Sequence, residues 1–264
     1  MINGLTTVNI ELTSMCNKSC HMCGRRKIDR DYPEIKLKYG HMDLKLALRI
    51  KKQIPKGIVI QYHNNGEPLL YPHLREVLEY RNDDHVNCMD TNGKLLVQKA
   101  DEIIGNLDTL TVSVIERDPE GEEQYQIVKQ FLAKKGNRKP GMIYRVLGEV
   151  EDVKRWEAFP GIIAKRMLHS PMGSFNYKKE PVVPEIGICL DFLNHLVIRH
   201  DGKVSCCVRF DPKDEGIIGD VNKETLEQIW NGRKRNRRFL FHLAGHREQL
   251  PLCDKCEFWG IPKG

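Results

Sequence analysis

Apolar residues fall on every second position at Val8, Ile10 and Leu12, the period of a strand with one buried face. The next stripe has a different period. Leu44, Ala47 and Leu48 follow Asp43 at helical spacing, with Asp43 as the expected cap and Gly57 as the expected stop. Strand and helix then alternate. Ile58–Ile60, Val86–Thr91, Leu110–Ile115 and Met142–Val146 read as strands, and Lys165–His169 as a last one. Between them, helical stripes run through Leu74, Val77 and Leu78, through Ala100, Ile103 and Ile104, through Tyr125, Val128 and Leu132, and through Val153 and Trp156. The stretch that follows the cysteines near residue 20, as far as Gly40, is basic and unpatterned, and is expected as a surface loop.

Such alternation makes parallel strands joined by helical crossovers, so the fold class is α/β. Six units are too few for a closed eightfold barrel; an open parallel sheet is expected, with a doubly wound sheet as the plain alternative. In either, ligands collect at the carboxyl ends of the strands. Pro-containing stretches at Ser170–Gly173 and Pro181–Pro184 break the rhythm and set the division into residues 1–180 and a smaller unit, 186–264. In the smaller unit, Leu193–Val204 reads as a hairpin turning at Asp201-Gly202. Leu226, Ile229 and Trp230 read as a helix, capped by Asn222 and stopped by Gly232.

Composition narrows the class. No run approaches the ~20 apolar residues that span a bilayer, and the first residues have neither the basic nor the apolar segment of a secretory signal. A soluble, cytoplasmic protein is expected. The net charge of +6 over 264 residues is modest. Its one dense basic run, Arg233–Arg238, is expected as a solvated helix face, so no nucleic-acid partner is called for. Nine cysteines in a reducing compartment point to metal rather than to disulfides.

Seven of the nine fall into two groups. Cys16, Cys20 and Cys23 stand as C-x3-C-x2-C just after the first strand, at its carboxyl end. Three thiolates on one loop select zinc or an iron–sulfur cluster; a structural zinc site would want a fourth ligand. The second group is Cys189, Cys207 and the pair Cys253 and Cys256, one cysteine on each arm of the hairpin plus a C-x2-C knuckle. That cage suits zinc or a 4Fe–4S cluster. Two loops add to the first group. Asn65-Gly66-Glu67-Pro68 follows the second strand, where Gly allows close backbone approach, Pro fixes the turn and Glu offers an acceptor for an ammonium group. Thr91-Asn92-Gly93 follows the third strand in the same way.

C-x3-C-x2-C behind one strand and a GEP loop behind the next resemble the radical SAM enzymes. Asn65 stands where their GGEP motif has its first glycine, and Met22 where they usually have an aromatic residue. G-x4-C at Gly202 and Cys207, followed after an insertion by the C-x2-C pair, is similar to the truncated SPASM extension called Twitch. No further cysteine follows in the eight residues after Cys256, so one auxiliary cluster is expected. The resemblance runs from the first strand to the last cysteine, with size and layout similar to the small Twitch dehydrogenases acting on aminocyclitols.

The resemblance implies a partial (β/α)6 barrel with a small C-terminal extension, two 4Fe–4S clusters and S-adenosyl-L-methionine. It implies Cys16, Cys20 and Cys23 as ligands of the first cluster and Cys189, Cys207, Cys253 and Cys256 as ligands of the second. Gly66, Glu67 and Pro68, with Thr91, Asn92, Ser113 and Arg145, are the implied cofactor-binding residues. The implied reaction is hydrogen abstraction by a 5′-deoxyadenosyl radical, with a net oxidation of a small polar molecule. A reductant such as flavodoxin or ferredoxin is an implied partner. The rivals are a radical SAM epimerase, a peptide maturase and, outside catalysis, a zinc protein that binds nucleic acid. No leader-peptide-binding module precedes the first strand, which disfavours the maturase. Cys88 and Cys206 are spare thiols, expected as small buried hydrophobes; with His169 they are the candidate catalytic residues.

Overall fold

The computed structural model describes residues 2–166, 188–254 and 256. Nine strands among them form one sheet: β1 (Thr7–Ile10), β2 (Val59–Tyr62), β3 (Val86–Thr91), β4 (Thr109–Ile115), β5 (Gly141–Leu147), β6 (Ile162–Arg166), β7 (His195–Ile198), β8 (Lys203–Ser205) and β9 (Ile217–Asp220). Their order is β6-β5-β4-β3-β2-β1-β7-β8-β9. Strands β1 to β6 are laid down one after another, all parallel, as six strand–helix units require.

The hairpin of the smaller unit does not stand apart. Its first arm, β7, pairs in parallel with β1, and β8 and β9 follow antiparallel. The sheet therefore runs through the expected division. Trp230 Nε1 donates to the Asn3 carbonyl at 3.0 Å, and Trp230, Leu196 and Ile198 share one apolar core with Val8 and Ile10. The junction between the two units lies outside the described residues, as do His169 and both Pro-containing stretches.

Side chains alternate across the sheet. One face is apolar and fully buried, with Val8, Ile10, Ile60, Tyr62, Met89, Leu110, Val112 and Tyr144. The other carries polar groups: register aligns Asn9, Gln61, Cys88 and Thr109 across four strands, and Asp90 with Thr111 one step further along. Ser113 pairs with Arg145 beyond them. Asp90, Ser113 and Arg145 of this polar face line one cavity.

The helices that follow β1 to β5 from residue 44 onward bury their apolar stripes against the apolar face. The basic stretch expected as loop contains α1 (Gly24–Asp31), which buries Ile28 and Arg25. Its single large apolar residue left no stripe to read. Next, α2 (Leu44–Gln53) has the expected cap: Asp43 accepts from the Leu46 N–H at 3.0 Å. It ends before Pro55, so Gly57 belongs to the following turn. Then come α3 (Leu74–Glu79), α4 (Ala100–Ile103), α5 (Gly121–Lys135) and α6 (Lys154–Glu157). The last strand of this series begins earlier than expected, at Ile162, because its register with β5 starts there.

Leu193 and Asn194 belong to α7 (Leu190–Asn194), and the hairpin starts at His195. Helix α8 (Leu226–Trp230) is capped by Thr225, which forms a reciprocal capping box with Gln228. Asn222 instead donates to the Asp201 carbonyl at 2.9 Å. Gly232 closes α8 and opens α9 (Arg233–Leu243); α10 (Pro251–Asp254) follows.

Candidate active site

The first cysteine loop is held by backbone before any ligand is considered. Ser14 N–H donates to Gly40 O, Met42 N–H to Leu12 O, and Met15 N–H to Thr13 Oγ1 at 3.0 Å. Glu67 N–H donates to Met15 O at 2.8 Å, laying the GEP loop directly on the start of the cysteine loop. The approach is so close that a Cβ at residue 66 would stand 1.9 Å from Thr13 O. Only glycine fits there.

Two buried carboxylates tie these loops to their surroundings. Glu11 follows β1. One oxygen accepts from Asn64 Nδ2, Asn65 N–H and Asn65 Nδ2, and the other from His200 N–H and Nδ1 at 3.0 Å. Burial alone would raise its pKa, but the hydrogen bonds and charge of His200 pull it below the ordinary value. Glu67 is the second. Its carboxylate accepts from Thr91 Oγ1 at 2.7 Å, Leu69 N–H at 3.1 Å and Asn92 N–H at 2.7 Å. Here burial outweighs those bonds and pushes the pKa up to about 7. The Glu67 carboxylate thus clamps the loop after β2 to the loop after β3, with one oxygen still short of a full set of donors.

Thr91-Asn92-Gly93 is more than a turn. Asn92 Nδ2 donates to Asn17 Oδ1 at 2.8 Å and lies 3.9 Å from Cys16 Sγ. Gln124 of α5 braces this loop, donating to Asn92 O at 2.7 Å and Ser113 O at 2.9 Å. Gln124 carried no motif, although it shares a helical stripe with Val128 and Phe131.

A cavity of about 290 Å³ opens between these loops. Cys16, Cys20 and Cys23 line it together with Gly66, Glu67, Thr91, Asn92, Ser113 and Arg145. Pro68 stands behind, buried, as the first residue of a single 3-10 turn. His63, Asp90 and Phe210 also line the cavity and had no sequence signal. Arg145 forms an ion pair with Asp90, and His63 Nε2 lies 3.6 Å from the same carboxylate. Cys88 sits two residues below Asp90 on the same face and does not line the cavity. Burial pushes the Cys20 thiol up to about 11, with the neighbouring thiols of Cys23 and Cys16 adding to the rise.

The second cysteine group assembles from three elements. Cys189 opens α7, Cys206 and Cys207 follow β8, and Cys253 and Cys256 come at and beyond α10. Arg247, almost fully buried, gathers the knuckle by donating to Cys253 O at 3.0 Å and Cys256 O at 3.3 Å. Burial raises the Cys253 thiol, and the charges of Cys206, Cys256 and Cys189 add to it; Cys207 is raised by burial and by Cys206 and Cys253. Cys206 is buried in the apolar core beside these thiols. Among the described residues no three His, Cys, Asp or Glu side chains converge closely enough to hold a single metal ion.

Residues 189–257 match the SPASM family, an iron–sulfur cluster-binding domain. The structure is similar to BtrN in complex with AdoMet and 2-DOIA, at 19% identity and a TM-score of 0.58, covering 97% of this chain and 94% of that one. It is also similar to anSMEcpe with bound AdoMet (14% identity, TM-score 0.61, 96% and 87% covered). Streptococcus suis SuiB bound to S-adenosylmethionine is a third relative in fold (13%, 0.57, 87% and 66%). The chain has the radical SAM partial-barrel fold and carries a SPASM domain. No curated protein sequence matches it.

In the basic run, Arg233, Lys234 and Arg237 are exposed on α9, as a solvated face requires, but Arg235 is buried and Arg238 half-buried. Arg235 lies 3.5 Å above the Trp230 ring and donates to Leu193 O at 3.0 Å. Thiols are the soft donors that iron–sulfur clusters take. Three soft thiols, none in a disulfide, share a cavity with a glycine cradle, and a second set of thiols lies in the iron–sulfur domain.

Proposed function

We propose that the protein is a radical SAM oxidoreductase acting on a small polar molecule. The observation that carries this reading is one cavity lined by the three loop thiols, the GEP glycine and glutamate, and the Thr91-Asn92 loop. In this reading residues 1–180 hold a 4Fe–4S cluster on Cys16, Cys20 and Cys23 with S-adenosylmethionine beside it. Residues 186–264 hold one auxiliary cluster on Cys189, Cys207 or Cys206, Cys253 and Cys256. Bound together, cluster and cofactor supply a carbon-centred radical that abstracts hydrogen.

The chain's own residues position and exclude. Gly66 lets the backbone reach the cofactor, Glu67 faces its ammonium group, and Asn92 and Ser113 flank it. Arg145, being paired with Asp90, serves the cavity wall together with His63 and has less left for the cofactor. A flavodoxin or ferredoxin supplies the electron, and the cytoplasm keeps the thiols reduced. Among the described residues no helix is long and apolar enough to cross a membrane.

Oxidation is favoured over epimerisation by where the spare thiols lie. An epimerase needs a hydrogen donor at the reacting carbon, yet neither Cys88 nor Cys206 lines the cavity. A peptide substrate is the second reading, because SuiB bound to precursor peptide SuiA shares the fold over 87% of this chain. With C-deuterated substrate, oxidation passes deuterium to 5′-deoxyadenosine and leaves a product two hydrogens lighter. A product of unchanged mass carrying one solvent deuterium would make it an epimerase. Tightly bound zinc without sulfide, in protein purified without oxygen, would favour the zinc protein.

A further inference from the structure

Among the described residues, Lys18, Arg25 and Arg145 are the Lys and Arg side chains that line the large cavity. Two of them are neutralised, Lys18 by Asp118 and Arg145 by Asp90. Arg25 is not. It stands in the first turn of α1 and is only 4% exposed. Its Nη1 donates to the Asn65 carbonyl at 2.7 Å, and its guanidinium lies 4.2 Å from the centre of the Tyr39 ring. Its Nε is buried with no hydrogen-bond partner, and no carboxylate pairs with it among the described residues. The buried Nε atoms of Arg155 and Arg235 also lack partners, but Arg155 is paired with Glu122 and Arg235 lines neither this cavity nor the next.

A second, smaller cavity of about 40 Å³ adjoins the large one: Arg25, Asn64, Asn65 and Phe210 line both. A water needs ~10–15 Å³ of such space, so this cavity has room for one small group rather than for a whole substrate. Its acids are already engaged. Glu11 accepts from Asn64, Asn65 and His200, and Asp211 from the backbone N–H groups of Glu215 and Gly216. Its cations are not all engaged: Arg199 is paired with Asp214, but Arg25 and the exposed Lys38 have no carboxylate among the described residues. A buried guanidinium without a counter-charge is costly, and an oxyanion beside it removes that cost.

We propose that the substrate carries an oxyanion, a carboxylate or a phosphate, and that Arg25 and Lys38 hold it in the small cavity while the reacting carbon lies in the large one. This rests on the reading of the large cavity as the radical site. The planar guanidinium fork matches either oxyanion, and a charge-assisted bond made in a buried place fixes orientation as well as affinity. S-adenosylmethionine also carries a carboxylate, so the test separates the two sources.

The test is isothermal titration of anaerobically reconstituted, oxidised protein with inorganic phosphate, with and without saturating S-adenosylmethionine. Phosphate should bind saturably at one site in both conditions, and acetate should compete with it. Arg25→Gln should weaken phosphate about tenfold, the loss expected for a charge-assisted hydrogen bond. Lys38→Gln, an exposed change that leaves the fold intact, should weaken it about threefold and decides the matter if Arg25→Gln loses its iron. Arg237→Gln, an equal charge change on the exposed face of α9, should leave it unchanged. No saturable phosphate binding in the wild type, equal affinity in the Arg25, Lys38 and Arg237 variants, or phosphate binding abolished by S-adenosylmethionine would overturn the proposal. Phosphate bound in this way by a protein that takes up no iron and sulfide would leave the anion site standing and overturn the radical reading beneath it.

Discussion

The backbone N–H of Asn92 donates a 2.7 Å hydrogen bond to the carboxylate of Glu67, joining two loops 25 residues apart in sequence. Burial raises the Glu67 pKa to about 7 from 4.5, so the folded chain holds this proton more tightly than the unfolded one. The stability this contributes is full below about pH 4.5 and is lost as pH rises through 7. An ammonium group bound beside Glu67 reverses the preference, since it needs the ionised form. Affinity for S-adenosylmethionine should therefore rise roughly tenfold between about pH 6 and 8. In Glu67→Gln it should be weaker and flat. Isothermal titration across that range checks it; the same slope in the variant would place the titrating group elsewhere.

Gly66→Ala brings a Cβ to 1.9 Å from Thr13 O, backbone against backbone, so one loop must move. The expected cost is at the upper end of overpacking, about 3 kcal/mol, measured by urea unfolding. The cysteine loop moves with it, and iron bound at Cys16, Cys20 and Cys23 should be lost while the SPASM iron stays. A variant with full iron and unchanged stability would show that the loops are not held this closely.

Glu11→Gln tests the link between the GEP loop and the turn after β7. Both oxygens of Glu11 face only donors, so an amide nitrogen on either side leaves a buried N–H opposed. About 1–3 kcal/mol of stability should disappear. Because the Glu11 pKa is lowered, its contribution is present above the ordinary value near 4.5 and fades as pH falls through the depressed one. Wild type and variant should unfold at different urea concentrations at neutral pH, and the gap should close in acid. A constant gap would assign the loss to packing alone.

Much of the fold was legible because period and punctuation agree. The third strand lies at Val86–Thr91 as its pattern expects, and Asp43 caps its helix. Pairing was not legible where it joins distant segments. Nothing in His195–Ile198 says that it will lie beside β1, and that contact turns an appendage into part of the sheet. Helix α1 was hidden because its one buried apolar residue, Ile28, sits among charges. In the site, the cysteines, Gly66, Glu67 and the Thr91-Asn92 loop could be named in advance, since backbone approach and soft ligands demand particular residue types at short spacing. His63, Asp90 and Glu11 could not: each is an ordinary polar residue until strand register brings it to a partner. Arg235 was masked by its neighbours, because a charge run read in one dimension does not reveal which member turns inward.

The central claim is that the first cysteine group and its loops bind and cleave S-adenosylmethionine. The most direct measurement is 5′-deoxyadenosine formed by anaerobically reconstituted protein given dithionite and S-adenosylmethionine without any substrate. Slow formation is expected in the wild type and none when Cys16, Cys20 and Cys23 are all changed to Ala. A reconstituted wild type holding its iron and sulfide that forms no 5′-deoxyadenosine, or forms it equally without those cysteines, would contradict the account.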